Sequence, residues 1–344
     1  FHVWMSIDLK KRQLKIILGV CTCILIILLI LLSLELFRVL NNDDSPVTES
    51  VLDESTEIYE FIEIPATVKV PKEKPTFLPK SFAFISNGYN LSTASKLRRF
   101  DVVGLEPYDA DEEFLKEVQW SGSLVLATID IGKAQGWRHY WQTLDKTLVI
   151  KPDTKEDNQF IVNVSSESWH NVIINDEIPY VLALGDSSND TTSYHGYDGL
   201  IIDNIDIIQD YPGMKTGIYK LIRAISQKYP GLLIVVNNGF DILPIVYPFA
   251  DGIMYEDMCY YYNENLSKYQ PKDSLIEKKA LINTLLKKNM PVLVLDHISI
   301  NPLNEVSALG CYDRAKTYNV QGFNFVWNAN SVEDNLYLWN FLET

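Results

Sequence analysis

From Ser81 onward, short apolar runs recur along the chain, separated by polar or helical stretches. Read as strands, the runs are Phe82–Ser86, Val102–Leu105, Leu124–Ile129, Gly199–Ile202, Leu232–Val236, Gly252–Tyr255, Val292–Leu295 and Phe323–Val326. Most are rich in Val, Ile and Leu and show no strict alternation, as expected of strands buried on both faces. Helical spacing marks several intervening stretches, such as Gly217–Lys228 and Ser274–Lys288. Eight strands alternating with helices over about 260 residues predict an α/β fold, a (β/α)8 TIM barrel, spanning residues 81–344. A doubly wound open sheet produces a similar pattern. Phe160–Val164 reads as one further short strand, an elaboration between the third and fourth barrel strands.

The first eighty residues follow other rules. Ile16 to Leu34 is an uncharged apolar run of 19 residues, close to the roughly 20 that span a bilayer core. Lys10, Lys11, Arg12 and Lys15 precede it, which predicts a cytoplasmic basic tail (1–15), a transmembrane signal anchor (16–34) and an extracytoplasmic remainder. The rival is a cleaved signal peptide, but the run exceeds the usual hydrophobic segment and no small-x-small site closes it. Residues 35–80 are rich in Glu, Thr, Ser, Pro and Asp and read as a flexible stalk.

Composition narrows the partners. The chain has 344 residues, 47% apolar and 22% charged, with a formal net charge of -15. Residues 1–40 carry a surplus of +3, which leaves -18 on the rest. Such an acidic domain disfavours nucleic acid, whose phosphates need clustered Lys and Arg, and suits a cationic partner. Cys21 and Cys23 fall in the apolar run, so Cys259 and Cys311 remain as one conceivable disulfide that spacing alone does not establish.

Two of the apolar runs end alike. Tyr197-Asp-Gly-Leu-Ile-Ile-Asp203 and Ala250-Asp-Gly-Ile-Met-Tyr-Glu256 are each an Asp-Gly turn, a short run and a carboxylate. Desolvating a carboxylate costs several kcal/mol unless something compensates, so an acid at the end of a buried strand points to chemistry. On the barrel reading Asp203 and Glu256 close the fourth and sixth strands, on the face where barrel enzymes carry their sites. Two acids facing one cleft are the minimum for cleaving a glycosidic bond. Asn87, Glu106, Asp130, Asn237, Asn238, Asp296, His297, Trp327 and Asn328 follow other strands. Such a rim suits a polyhydroxylated ligand. Trp137, Tyr140, Trp141 and Trp327 are candidate stacking platforms, although aromatics also fit ordinary cores. Asp130, Asn204, Asn237 and Asp296 are candidate hydroxyl or amine contacts.

Other chemistries lack their motifs. Asp203, Asp206 and Asp210 are without the Gly and terminal Glu of a calcium loop, and one of the latter two suits a helix cap. The five His show no zinc-hydrolase spacing. GxSxG, GxGxxG and Walker motifs do not occur. The reading needs no cofactor and no metal.

The segments "YDGLIIDNID", "VVNNG" and "ADGIMYED", with "LATIDIGKAQGWRHYW" and "SESWHNVII", resemble glycoside hydrolase family 114, the endo-α-1,4-polygalactosaminidases and their TIM-barrel relatives, from about Ser81 to Leu342. The resemblance implies a (β/α)8 barrel, hydrolysis of an α-1,4-linked galactosamine-containing polysaccharide, a catalytic Asp at Asp203 and a catalytic Glu at Glu256. The family usually carries acids in the segment after the third strand, where this chain has Gly132-Lys133-Ala134-Gln135, so Lys133 would bring a positive charge near the cleft. A non-catalytic carbohydrate-binding scaffold on a decayed barrel is the competing expectation.

Overall fold

A computed structural model describes residues 73–185, 196–263, 268–271, 276–297, 310, 311, 313 and 323–326. The apolar run 16–34, the stalk up to residue 72, residues 186–195, Trp327 and Asn328 lie outside the described residues. Among the described residues no helix is long and apolar enough to cross a membrane.

The described chain builds an α/β barrel of the TIM type. Its strands are β1 (Phe82–Ile85), β2 (Val102–Leu105), β3 (Leu124–Asp130), then β7 (Gly199–Asp203), β8 (Leu233–Asn237), β9 (Gly252–Glu256), β12 (Val292–His297) and β13 (Phe323–Val326). They form one eight-stranded sheet in sequence order, every hydrogen-bonded pair parallel, and β13 returns beside β1. All eight strands anticipated from the apolar runs are present. Helices connect them. In Lys215–Lys228 the buried positions Ile218, Leu221, Ile222 and Ile225 repeat at helical spacing and form its buried face.

Between β3 and β7 the chain makes β4 (Lys133–Gln135), β5 (Val149–Pro152) and β6 (Gln159–Val162), an antiparallel sheet in the order β4-β6-β5. The extra strand expected around Phe160 is β6. After β9 a hairpin of β10 (Tyr260–Asn263) and β11 (Lys268–Pro271) precedes the helix Ile276–Lys287.

The barrel interior is filled by Phe77, Phe82, Val102, Leu126, Ile201, Leu233, Val235, Met254, Leu293 and Leu295. Gly104 in β2 makes room for this packing, since a Cβ there would stand 2.6 Å from Ile201 Cδ1 and 2.9 Å from Phe84. Phe77 is part of the same core, and Lys74 Nζ pairs with Asp251 at 2.8 Å. Residues 74–80, read above as the end of the stalk, therefore already pack against the barrel.

Candidate active site

Strand periodicity carries the core up to the mouth. Side chains at i and i+2 share a face, so the interior residues Leu126, Ile201, Val235, Met254 and Leu295 lead on the same face to Asp130, Asp203, Asn237, Glu256 and His297. Asn237, at the end of β8, lies between the two acids. Its Nδ2 donates to Asp203 Oδ1 at 2.9 Å and to Glu256 Oε2 at 2.7 Å. A planar amide that gives both hydrogens holds its acceptors about 5 Å apart.

The backbone turns the same way after each of these strands. Asn204, Asn238 and Asp257 directly follow Asp203, Asn237 and Glu256, with φ of 56°, 52° and 58°. Asn and Asp tolerate this left-handed region best after Gly. The turns also lock the rim. Asn238 N–H donates to Met254 O at 2.8 Å, and Glu256 N–H donates to Asn238 Oδ1 at 3.2 Å. Asn204 N–H donates to Asp203 Oδ1 at 2.7 Å.

Behind Asp203 is a buried polar support. Asp130 stands opposite Asp203 in the β3–β7 register. Its Oδ1 accepts from the backbone N–H groups of Gly132 (3.1 Å) and Lys133 (2.8 Å), its Oδ2 from Asn204 Nδ2 (2.6 Å) and Gln135 Nε2 (3.3 Å). Gln135 Oε1 accepts from Arg138 Nε at 2.6 Å, and Arg138 grips Glu106 through two bonds of 2.6 and 3.0 Å. Gly132 is pressed against the backbone of Asn204, so a Cβ there would collide with its carbonyl.

The surroundings of Glu256 act on its protonation. Confinement at the foot of the mouth raises the Glu256 pKa to about 7, with the charges of Asp203 and Asp257 adding to the rise. His297 and the bond from Asn237 oppose it. His297 Nε2 lies 3.7 Å from Glu256 Oε1. Burial pushes the His297 pKa down, but the Asp257 bond and the charges of Glu256, Asp257 and Asp296 outweigh it and raise the value.

Above these groups is a cavity of about 270 Å³ lined only by polar side chains, among them Asp203, Asn204, Asp206, Asn237, Asn238 and Glu256. The small sheet supplies its far wall through Lys133, Gln135, Glu156 and Gln159. Lys133 Nζ pairs with Asp153 Oδ2 at 2.8 Å, so the positive charge expected near the cleft is largely offset within the wall.

The remaining candidate residues are distributed unevenly. Asn204 lines the cavity but turns its amide to Asp130. Asp130 is buried beneath the lining rather than in it. Asp296 is fully buried, and its carboxylate accepts from the backbone N–H groups of Cys259 and Tyr260 at 3.0 Å each. Its parity is the cause: Leu293 and Leu295 face the interior, so His297 follows them and Asp296 points outward. Tyr140 is a core residue, edge-on to Trp169, and its hydroxyl accepts from Gln135 N–H at 3.4 Å. One face of Trp141 stacks on Phe160 at 4.4 Å, and Lys146 Nζ lies 3.4 Å from the ring centroid, so Trp141 is already engaged. Trp137 is exposed and outside the cavity lining. Trp327 lies outside the described residues. Glu156, Gln159 and Asp206 joined the lining without being singled out as contacts. The first two come from a loop and a strand whose docking over the mouth no local pattern reveals.

Cys259 and Cys311 form a disulfide with a Cα–Cα distance of 5.9 Å. They and Asp296 are grouped closely enough for a metal, but the disulfide occupies both sulfurs.

A model of Glycoside-hydrolase family GH114 matches residues 66–339. The glycoside hydrolase domain of PelA from Pseudomonas aeruginosa is similar in structure, with a TM-score of 0.62 and 18% identity over 74% of this chain and 97% of that one. Ega3 from Aspergillus fumigatus, in complex with galactosamine, has a TM-score of 0.53 and 14% identity over 76% of this chain and 96% of that one. Comparison with curated proteins gives no match.

Proposed function

The chain belongs to glycoside hydrolase family GH114, and from that premise we propose that it cleaves an α-1,4-linked galactosamine-containing polysaccharide with Asp203 and Glu256. The observation that carries this reading is the shared nitrogen: one amide of Asn237 holds both acids at the barrel mouth, 2.9 and 2.7 Å away.

The roles follow from the environments. Glu256, raised to about 7, keeps its proton near neutral pH and serves as general acid. Asp203 accepts two hydrogen bonds at Oδ1 and presents Oδ2 as the nucleophile. The two bridged oxygens, at 2.9 and 2.7 Å from one nitrogen, stand no more than 5.6 Å apart, which suits a retaining pair, for which about 5–5.5 Å is usual, better than the about 6.5–9.5 Å of inverting enzymes. Asp203 Oδ2 forms a bond to the anomeric carbon while the bond to the leaving oxygen breaks and takes the Glu256 proton. A water then attacks the same carbon, gives a proton back to Glu256 and releases Asp203, so the net reaction is hydrolysis.

The substrate reading rests on charge. Asp203, Asp206, Glu156 and Glu256 line the cavity and favour a cationic amino sugar, and the Ega3 complex with galactosamine points the same way. The reading also includes a membrane anchor at 16–34 with the barrel outside the cytoplasm, which the charge distribution around that run supports.

Incubation of the full chain with α-1,4-linked galactosamine and galactose polymers, followed by mass spectrometry, tests the proposal. Shortened galactosamine oligomers are expected, absent with Asp203→Asn. Polymer binding without cleavage by the parent chain would replace this reading with the scaffold.

A further inference from the structure

We propose that Asn237 is the positioning residue of the carboxylate pair, setting their separation and leaving Glu256 Oε1 and Asp203 Oδ2 as the reacting oxygens. This rests on the hydrolase reading above and assigns Asn237 a role other than sugar contact.

Three observations carry it. The first is the hydrogen count. An amide NH2 has two hydrogens, and both are spent on acids: one on Asp203 Oδ1, one on Glu256 Oε2. Nothing remains on that nitrogen for a substrate hydroxyl. The nitrogen end of the amide faces Asp203, whose carboxylate its oxygen would repel.

The second is the state of that oxygen. Asn237 Oδ1 is buried and meets no donor among the described residues. An unmet buried acceptor is unfavourable, so the orientation is held by the two acids rather than by the amide's own needs. A residue kept only for packing would be better served by an apolar side chain.

The third is rigidity. Asn237 pairs with Met254 in the β8–β9 register, and Asn238 ties the two strand ends together through Met254 O and Glu256 N–H. The bridge is therefore anchored in the sheet on both sides. With Oε2 taken by a donor, the Glu256 proton is left to Oε1, the oxygen that faces His297 at 3.7 Å. The charged or titratable groups facing Glu256 among the described residues are Asp203 from β7, Asp257 on its own turn, and His297 from β12. Asn237 is the neutral group among them that donates to it.

The test compares the full chain with Asn237→Ala and Asn237→Ser. The expected result is a kcat loss of about tenfold to hundredfold for Asn237→Ala with KM within about twofold, because misplacing a reacting group by about 1 Å carries a loss of that size. Asn237→Ser keeps one donor, can serve one acid, and is expected to fall between. Loss of a bond that favours the charged carboxylate also raises the Glu256 pKa, so the alkaline limb of the rate profile should move to higher pH. A second readout needs no turnover: 13C-carboxyl NMR titration of Glu256 should show the same upward move. Should Asn237→Ala not fold, the similarly sized Asn237→Leu removes the donor without adding charge and carries the same two measurements. A change in KM alone, with the Glu256 titration unmoved, overturns the proposal and makes Asn237 a sugar contact. A parent chain without hydrolysis sinks the hydrolase reading instead, while the NMR titration still decides whether Asn237 governs Glu256.

Discussion

His297 Nε2 stands 3.7 Å from Glu256 Oε1, while its other ring nitrogen lies 3.0 Å from Asp257 Oδ1. The imidazole is thus held between two acids and favours its cationic form. As a cation it also favours ionised Glu256, opposing the confinement and the Asp203 charge that raise that acid to about 7. The proposed mechanism needs the protonated form, so kcat/KM of the parent is expected to fall as pH climbs past about 7. His297→Gln removes the opposing charge, and Glu256 then keeps its proton to higher pH. The alkaline limb should move upward, by on the order of one unit for an opposite charge at this range. A pH–rate series on both proteins checks this, and a limb that stays in place would show that His297 does not act on Glu256 through its charge.

The general-acid role proposed for Glu256 predicts a dependence on the leaving group. Glu256→Gln keeps the shape but has no proton to give, and the loss on polymer should be about 10²–10⁴-fold, the usual reach of proton transfer catalysis. An aryl glycoside whose phenol leaves readily needs little protonation, so on that substrate the departure step should recover by at least about tenfold. Asp203→Asn, lacking the nucleophile, should be equally inactive on both. Parallel assays with polymer and aryl glycoside separate the cases, and equal losses for Glu256→Gln on the two substrates would count against its role as acid.

Much of the barrel was legible because each strand is an apolar run closed by a polar residue, and burial on both faces leaves such runs conspicuous. Asp203 and Glu256 stood out for the same reason. What the runs do not declare is parity. Asp296 and His297 both follow Leu295, and only the facing of Leu293 and Leu295 tells that the His enters the mouth and the Asp leaves it. The aromatic segment misled differently. Tyr140 and Trp141 belong to the packing between the small sheet and the barrel, a long-range contact without local periodicity. Glu156 and Gln159 reach the cavity by the same docking.

Lys133 and Asp153 form an ion pair at the cavity wall, 2.8 Å apart. Asp153→Asn would remove the ion-pair partner of the Lys133 ammonium and make the lining less acidic. A cationic polymer should then bind less well, with KM raised about threefold to tenfold at low salt, a range consistent with one surface-near charge at reduced dielectric. At about 1 M salt the Debye length shrinks to about 3 Å and most of the difference should vanish. Lys133→Ala is expected to shift KM the other way. Steady-state kinetics at two ionic strengths measure both, and a salt-independent effect would point to a rearranged wall instead of charge.

Asp296 makes a prediction about stability rather than turnover. It is fully buried, and burial raises its pKa to about 7 from 3.8, against the bonds from Cys259 and Tyr260 N–H that favour its charge. A carboxyl whose folded pKa is raised binds its proton more tightly in the folded state. Its contribution to stability is complete below about pH 4 and is lost as pH rises through about 7. Glu256 acts in the same direction from 4.5 to about 7. The full chain should therefore lose unfolding free energy between pH 5 and 8. Asp296→Asn cannot titrate, so its decline over that interval should be shallower by about 3 kcal/mol, the linkage of a two-unit span. Urea unfolding at pH 5 and pH 8, with the Cys259–Cys311 disulfide intact in both proteins, gives the two slopes. Parallel declines would mean that another group carries the pH dependence.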